Sequence, residues 1–249
     1  TGRKLVYLVP GPIADGAEVM RARAQIDRFG RHELTDQAAA ADVILFVDLH
    51  RWWGQPALRS IVDHALVKAF PDKCFLYTQA EFGAFYLPGV YVSPPRLFRR
   101  LTRSYCFLEA KNDQVEQAIE PHDGPTFLYS FLGRPSSEVR RRLLEMPHPA
   151  DCSVQAQTAV NFFGDGPRSA AQIVYAELLK RSKFVLCPTG NVWNTYRLYE
   201  AKQAARSPVL IARSCDLPDG PDWETFCVVL RPDSIADLSA ILREREPMW

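Results

Sequence analysis

No run of roughly 18 or more consecutive apolar residues occurs in this 249-residue sequence, so no segment reads as a membrane-spanning helix. No G-x-G-x-x-G follows a strand-like segment. The nearest approach, Gly11-Pro12 through Gly16, has the wrong spacing and a proline, which argues against a nicotinamide-dependent dehydrogenase. No C-x-x-C pair is present either. The six cysteines, Cys74, Cys106, Cys152, Cys187, Cys215 and Cys227, are scattered. Several lie inside apolar runs (KCFLY, YCFLE, FCVVL) and read as small buried hydrophobes of a reducing compartment. The five histidines supply no closely spaced ligand group, so no metal is expected. An excess of one charge is also missing. Lys+Arg of 30 against Asp+Glu of 29 gives a formal charge of +1, with no bulk pull toward nucleic acid.

What is present is the composition of a soluble globular protein, 47% hydrophobic and 24% charged. The length suits two small domains at roughly 100–150 residues each. The first residues, TGRKLVYLVP, run directly into a strand-like segment without a secretory pattern. A cytoplasmic location is therefore expected, with a targeting segment removed ahead of Thr1 as the alternative.

Strand-like and helix-like segments alternate. Lys4–Val9, Asp42–Val47 and Cys74–Thr78 read as strands, with helical patterns around Glu18–Phe29 and Gln55–Ala69. A polar stretch, Glu109–Gly124, ends in the turn signal Pro121-His122-Asp123-Gly124 and reads as a link. A second series follows: strands at Thr126–Leu132, Phe184–Cys187, Pro208–Ile211 and Phe226–Leu230, and helices at Glu138–Met146, Ala170–Arg181, Thr195–Ala205 and Ile235–Arg245. Continuous apolar strands alternating with helices predict parallel sheets covered on both faces. The expected fold class is α/β: two Rossmann-like domains, residues 1–122 and 123–249, with parallel sheets facing a cleft.

The most informative segment is Ser182–Ile211, SKFVLCPTGNVWNTYRLYEAKQAARSPVLI. It reads as strand, turn-forming loop and helix, with Asn194 as N-cap and Thr195 as the first helical residue. A helix start of this kind offers unpaired N–H groups and partial positive charge to a phosphate. Gly190 permits close backbone approach. Arg197 and Glu200, three residues apart, share a face, the arginine suited to phosphate and the carboxylate to sugar hydroxyls. The same spacing equally describes an ordinary surface ion pair. Upstream, Gly133-Arg134 follows a strand and precedes a helix capped by Ser136 or Ser137. That places an arginine fork at the carboxyl edge of a sheet, where a solvated loop arginine is the alternative.

Three blocks of this sequence resemble the exostosin-like glycosyltransferases: Cys187-Pro188-Thr189-Gly190, Arg197-Leu198-Tyr199-Glu200-Ala201 and Pro208-Val209-Leu210-Ile211. Phe131-Leu132-Gly133-Arg134 with Arg140 is similar to the segment opening that family's second domain. Asp222-Trp223, FCVVL and DLSAIL continue the likeness, which spans about Thr126–Leu242. A departure is Ala205-Arg206-Ser207, where the family usually has a turn containing glycine. The resemblance implies a two-domain GT-B fold and sugar transfer from a nucleotide donor, mostly with inversion. It carries Arg134, Arg197 and Glu200 over as donor-binding candidates, with Thr189, Gly190 and Asn191 beside the diphosphate. Ser136 and Thr195, at the adjoining helix starts, join this set.

Inversion needs a general base for the acceptor hydroxyl. In such a fold the base comes from the N-terminal domain, where Asp48, His50 and Glu81 stand at strand ends. Partial burial beside Ala80 and Phe82 is expected to raise the Glu81 pKa. Trp52, Trp53, Phe82, Phe85 and Tyr86 read either as core or as a platform for sugar rings. Arg96, Arg99, Arg100 and Arg103 read either as a solvated face or as contacts to membrane phosphates or an anionic glycan. Arg140-Arg141-Arg142 reads in the same two ways, as a solvated helix face or as contacts to such anionic groups. The implied partners are a nucleotide-sugar and a glycan or lipid-linked acceptor, with no nucleic acid, no cofactor and no metal. A metal-dependent GT-A enzyme is disfavoured, because the nearest D-x-D-like text, CDLPDGPDW, has the wrong spacing. The competing reading is a non-catalytic nucleotide- or glycan-binding domain of a larger glycan-assembly protein.

Overall fold

The computed structural model describes residues 2–10, 16–49, 55–81, 84–94, 96–107, 112–157 and 170–248. The chain forms two units. The first comprises residues through Cys106 with Asp216–Asp219, and the second comprises Phe107–Cys215 with Gly220 onward.

The first unit runs β1 (Lys4–Pro10), α1 (Gly16–Gln25), β2 (His32–Leu34), β3 (Val43–Asp48), α2 (Gln55–Val62), α3 (Ala65–Ala69), β4 (Cys74–Thr78), β5 (Gly89–Tyr91) and β6 (Thr102–Ser104). Its six strands pair in the order β2-β1-β3-β4-β5-β6, all parallel. The period of two in β3 explains the layering. Ile44 and Phe46 pack with Leu58 and Ile61 of α2. Val47 packs with Ala17 of α1 in a separate cluster. Helices thus cover both faces, which is why the strand is apolar from Val43 to Val47. The helix expected over Gln55–Ala69 is interrupted, because His64 caps α3 by accepting the Leu66 N–H on Nδ1 at 3.2 Å. The three-residue strands β2, β5 and β6 are too short to show a period.

The second unit contains α4 (Asp113–Gln117), β7 (Phe127–Gly133), α5 (Glu138–Glu145), β8 (Ser153–Ala156), α6 (Ala170–Lys180), β9 (Ser182–Pro188), α7 (Tyr196–Gln203), β10 (Ser207–Ile211), β11 (Val228–Leu230) and α8 (Leu238–Arg245). The strand order is β11-β10-β9-β7-β8, again wholly parallel. Tyr129 and Phe131 of β7 pack with Leu143 of α5 and with Leu238 and Leu242 of α8. Ser130, between them, points the other way. Its hydroxyl is hydrogen-bonded to Ser182 Oγ at 2.7 Å, and Ser182 Oγ donates to Leu178 O of α6 at 2.6 Å. The α/β class with parallel sheets is therefore what both units show.

By packing, the units divide at Cys106/Phe107, ahead of the division near residue 122 that polar composition suggests. The reason is α4, whose N-cap Asn112 is bonded to α7. Gln203 Nε2 donates to Asn112 O at 2.9 Å, and the Asn112 N–H donates to Gln203 Oε1 at 3.1 Å. Val115 is fully buried.

Helix α7 stops at Gln203 because Ala205 takes a left-handed φ of 56°. The Arg206 N–H then reaches Ala201 O at 2.9 Å, and the Ala205 N–H reaches Lys202 O at 3.0 Å. This is a Schellman end, with alanine in the position usually held by glycine. Among the described residues no helix is long and apolar enough to cross a membrane.

Candidate functional site

At the carboxyl edge of the second sheet, the neighbouring strands β7 and β9 end at Gly133 and Pro188. The loop after β9 is held from two sides. Thr189 Oγ1 and the Thr189 N–H both donate to Ile211 O of β10, at 2.9 and 3.0 Å. From the other side Ser137 Oγ donates to Thr189 O at 2.6 Å, and Arg140 Nε donates to Pro188 O at 3.2 Å. Ser137, rather than Ser136, is the N-cap of α5, accepting the Arg140 N–H. Ser136 accepts instead from Arg140 Nη1 at 3.2 Å.

Two arginines converge on one ring. Arg197 Cζ lies 4.7 Å from the Phe131 ring centroid, and Arg140 Cζ lies 6.0 Å from it. Each is seated by a glycine. A Cβ on Gly133 would stand 3.1 Å from Arg197 Nη2, and one on Gly190 would stand 2.9 Å from Arg140 Nη2. Arg197 Nη2 donates to Leu132 O at 2.6 Å. Its Nε is buried without a hydrogen-bond partner among the described residues. An unsatisfied buried donor is costly, and an anionic ligand offers one way to satisfy it.

Glu200 is placed differently from what its spacing suggests. It is 7% exposed. Its Oε1 accepts from Asn112 Nδ2 at 2.6 Å, and its Oε2 accepts from Tyr175 Oη at 2.5 Å. Burial, reinforced by the Glu200 charge, pushes the Tyr175 phenol well above its ordinary pKa and keeps it a donor. Sequence reasoning missed Asn112 and Tyr175, which lie far away along the chain. Arg140 was marked within the family-like segment but given no site role of its own, standing otherwise as one of three consecutive helix arginines.

The other candidates are placed as follows. Arg134 and Asn191 are exposed, at the ends of β7 and in the loop after β9. Thr195, not Asn194, is the N-cap residue of α7, and its side chain makes no capping bond. Asn194 is buried, and its Oδ1 accepts from Tyr199 Oη at 3.2 Å.

In the first unit, Asp48 ends β3 and is 4% exposed, accepting from Thr78 Oγ1 at 3.4 Å. Glu81 follows β4 and is half-buried. His50, Trp52, Trp53 and Phe82 lie outside the described residues. Phe85 stacks on Phe98 with ring centroids 4.1 Å apart. Arg99 pairs with Asp216 at 2.7 Å and Arg103 with Asp219 at 3.1 Å, so two arginines of that basic cluster have carboxylate partners. Cys74, Cys187 and Cys227 are buried. Burial pushes the Cys187 thiol up and the Cys227 thiol to about 12, leaving both protonated and unreactive.

Fold and site define an α/β protein whose candidate site lies at the carboxyl edge of a parallel sheet, where such sheets bind ligands. The family model of the exostosin GT47 domain matches residues 107–245. The match covers more than half of the chain, starts where the second packing unit starts, and shows that the chain belongs to that family. A probable glycosyltransferase of Arabidopsis thaliana is 35% identical over 72 residues, which is 28% of this chain and 15% of that protein. The chain thus spans only a small part of this relative's length. Among solved structures, an alpha1,3-fucosyltransferase is similar with a TM-score of 0.37 and 13% identity, over 84% of this chain and 68% of that one. MurG of Acinetobacter baumannii is similar with a TM-score of 0.33 and 12% identity, over 98% and 92%.

Proposed function

We propose that this chain transfers a sugar from a nucleotide-sugar donor to a hydroxyl of a glycan or lipid-linked acceptor, the second unit holding the donor. The observation that supports this most is Arg197. It is fixed at the end of β7 by Leu132 O, seated against Gly133, and carries a buried Nε without a partner among the described residues. In this reading the donor diphosphate meets Arg197, Arg134, the Thr189-Gly190-Asn191 loop with Ser136, and the start of α7 at Thr195. These groups supply the positive charge that the departing diphosphate needs, so the proposal invokes no metal.

Glu200 enters as a positioning group, because both its oxygens are held by protein donors. The transfer is inverting. Glu81 takes the proton from the acceptor hydroxyl as that oxygen attacks the anomeric carbon, and the nucleoside diphosphate leaves with the bonding pair. Asp48 is the weaker candidate for the base, being buried and bonded to Thr78.

The test is thermal denaturation with the diphosphate donors UDP-, GDP- and dTDP-sugars, and with a CMP-sugar, which carries one phosphate, as the contrast. One class should raise the melting temperature of the wild type and of Arg141→Gln, and raise it much less in Arg197→Ala, because stabilisation follows ligand concentration over Kd. An equal shift in Arg197→Ala would remove Arg197 from the site.

A further inference from the structure

We propose that Arg140 is a positioning residue of this site: from the first turn of α5 it fixes the Pro188-Thr189-Gly190 loop in the shape that receives the donor diphosphate. The inference rests on the donor-binding reading of the second unit.

The three consecutive arginines look alike in sequence but behave differently. Arg141 stays on the surface and pairs with Glu138 at 2.7 Å, both side chains more than half exposed. Arg140 turns toward the sheet. Its Nε donates to Pro188 O and its Nη1 to Ser136 Oγ, each at 3.2 Å. Three residues before it on the same helix, Ser137 Oγ donates to Thr189 O at 2.6 Å. Helix α5 therefore draws two successive carbonyl oxygens of the loop toward itself. Carbonyl oxygens facing an anion repel it, so this orientation removes an obstacle to phosphate and leaves the cation at the loop's underside.

Gly190 closes directly over the guanidinium. A Cβ there would stand 2.9 Å from Nη2 and 3.2 Å from Cζ. A Cβ here would push the guanidinium aside, whereas backbone torsion makes no demand for glycine, since Gly190 is not among the residues with positive φ. Lysine is not an equivalent replacement, because it lacks the rigid fork by which Nε and Nη1 reach Pro188 O and Ser136 Oγ separately.

The experiment compares wild type, Arg140→Gln, Arg140→Lys and the control Arg141→Gln, with UDP, GDP, dTDP and inorganic pyrophosphate as probes. Binding is read by calorimetry and the unliganded melting temperature by circular dichroism. For whichever probe binds the wild type, Arg140→Gln and Arg140→Lys should raise Kd about tenfold, the worth of a charge-assisted hydrogen bond. Arg141→Gln should leave it unchanged. A purely structural arginine would lower the unliganded melting temperature and leave Kd alone, and that result overturns the proposal. Gly190→Ala displaces the guanidinium without touching α5 and should give the same loss. Should the Arg140 variants fail to fold, wild-type affinity in Gly190→Ala would also overturn it. Failure of every probe to bind the wild type instead rejects the donor reading, and this proposal with it.

Discussion

Tyr175 of α6 donates to Glu200 Oε2 of α7 at 2.5 Å, and Asn112 Nδ2 holds the opposite oxygen at 2.6 Å. The carboxylate of the Arg-Leu-Tyr-Glu-Ala segment is thus a joint between α4, α6 and α7. Tyr175→Phe removes one donor and leaves a desolvated carboxylate oxygen, at a cost of about 1–3 kcal/mol. For a chain of this size that lowers the melting temperature by roughly 2–4 °C per kcal/mol. A Tyr175→Phe protein that melts with the wild type would show that Glu200 is not held in this way.

Ala205 carries a left-handed φ of 56° at the end of α7. A Cβ in this conformation is crowded by the following carbonyl, at a cost of roughly 1–2 kcal/mol that glycine avoids. The two bonds that close the helix end, to Ala201 O and Lys202 O, are backbone bonds and survive the change. Part of the gain is offset by the freedom glycine adds to the unfolded chain. Ala205→Gly should therefore stabilise the protein by about 1 kcal/mol, read as an increase in the urea midpoint at unchanged slope. A lower midpoint would refute the strain argument.

This turn illustrates what the sequence made legible. The family resemblance marked Ala205-Arg206-Ser207 as a departure from a glycine turn, and the backbone there keeps the glycine-like conformation. Arg206 anchors the turn. It is 7% exposed, donates to Lys180 O at 2.7 Å and pairs with Glu120. The strands β1, β3, β4, β7, β9, β10 and β11 were readable because they are mainly apolar runs. The strand β8 was not, since SVQA carries a single strongly apolar residue and its pairing to β7 is non-local. In the site, Arg197 was legible from its motif. The burial of Glu200 was not, because a spacing of three says only that it shares a side of α7 with Arg197. What decides its environment is Asn112 and Tyr175, which lie 88 and 25 residues away. The role of Arg140 was hidden for a related reason: the resemblance marked the residue, but a run of arginines does not show which one turns to the loop until that loop is placed.

The two described carboxylates proposed for proton transfer differ in burial, and mutation should separate them. Glu81 is half-buried beyond β4, whereas Asp48 is 4% exposed and bonded to Thr78. If Glu81 is the base, Glu81→Gln should lower kcat by about 10²–10⁴-fold while leaving the donor-induced thermal shift intact. Asp48→Asn should act mainly on the melting temperature. A Glu81→Gln enzyme with wild-type kcat would exclude that residue as the base.

Acid stability provides a test independent of the site. Arg243 of α8 donates to both oxygens of Asp151 from Nη2, at 3.0 and 2.8 Å. These hydrogen bonds, partly opposed by desolvation and helped by the Arg243 charge, hold the Asp151 carboxyl below its ordinary value. A carboxyl depressed in the folded state contributes stability above its unfolded pKa, about 3.9. That contribution disappears as pH falls through the lower folded value. The pair is half exposed, 49% and 43%, so solvent and salt screen it and the effect is small. Asp151→Asn should therefore melt slightly below the wild type near pH 7. The gap should narrow as the pH falls below about 4 and close once the pH lies below the lowered folded value, where the wild-type carboxyl is protonated. High salt should narrow it at pH 7 as well. A gap that stays unchanged across the whole acid range would assign the loss to packing and not to the ion pair.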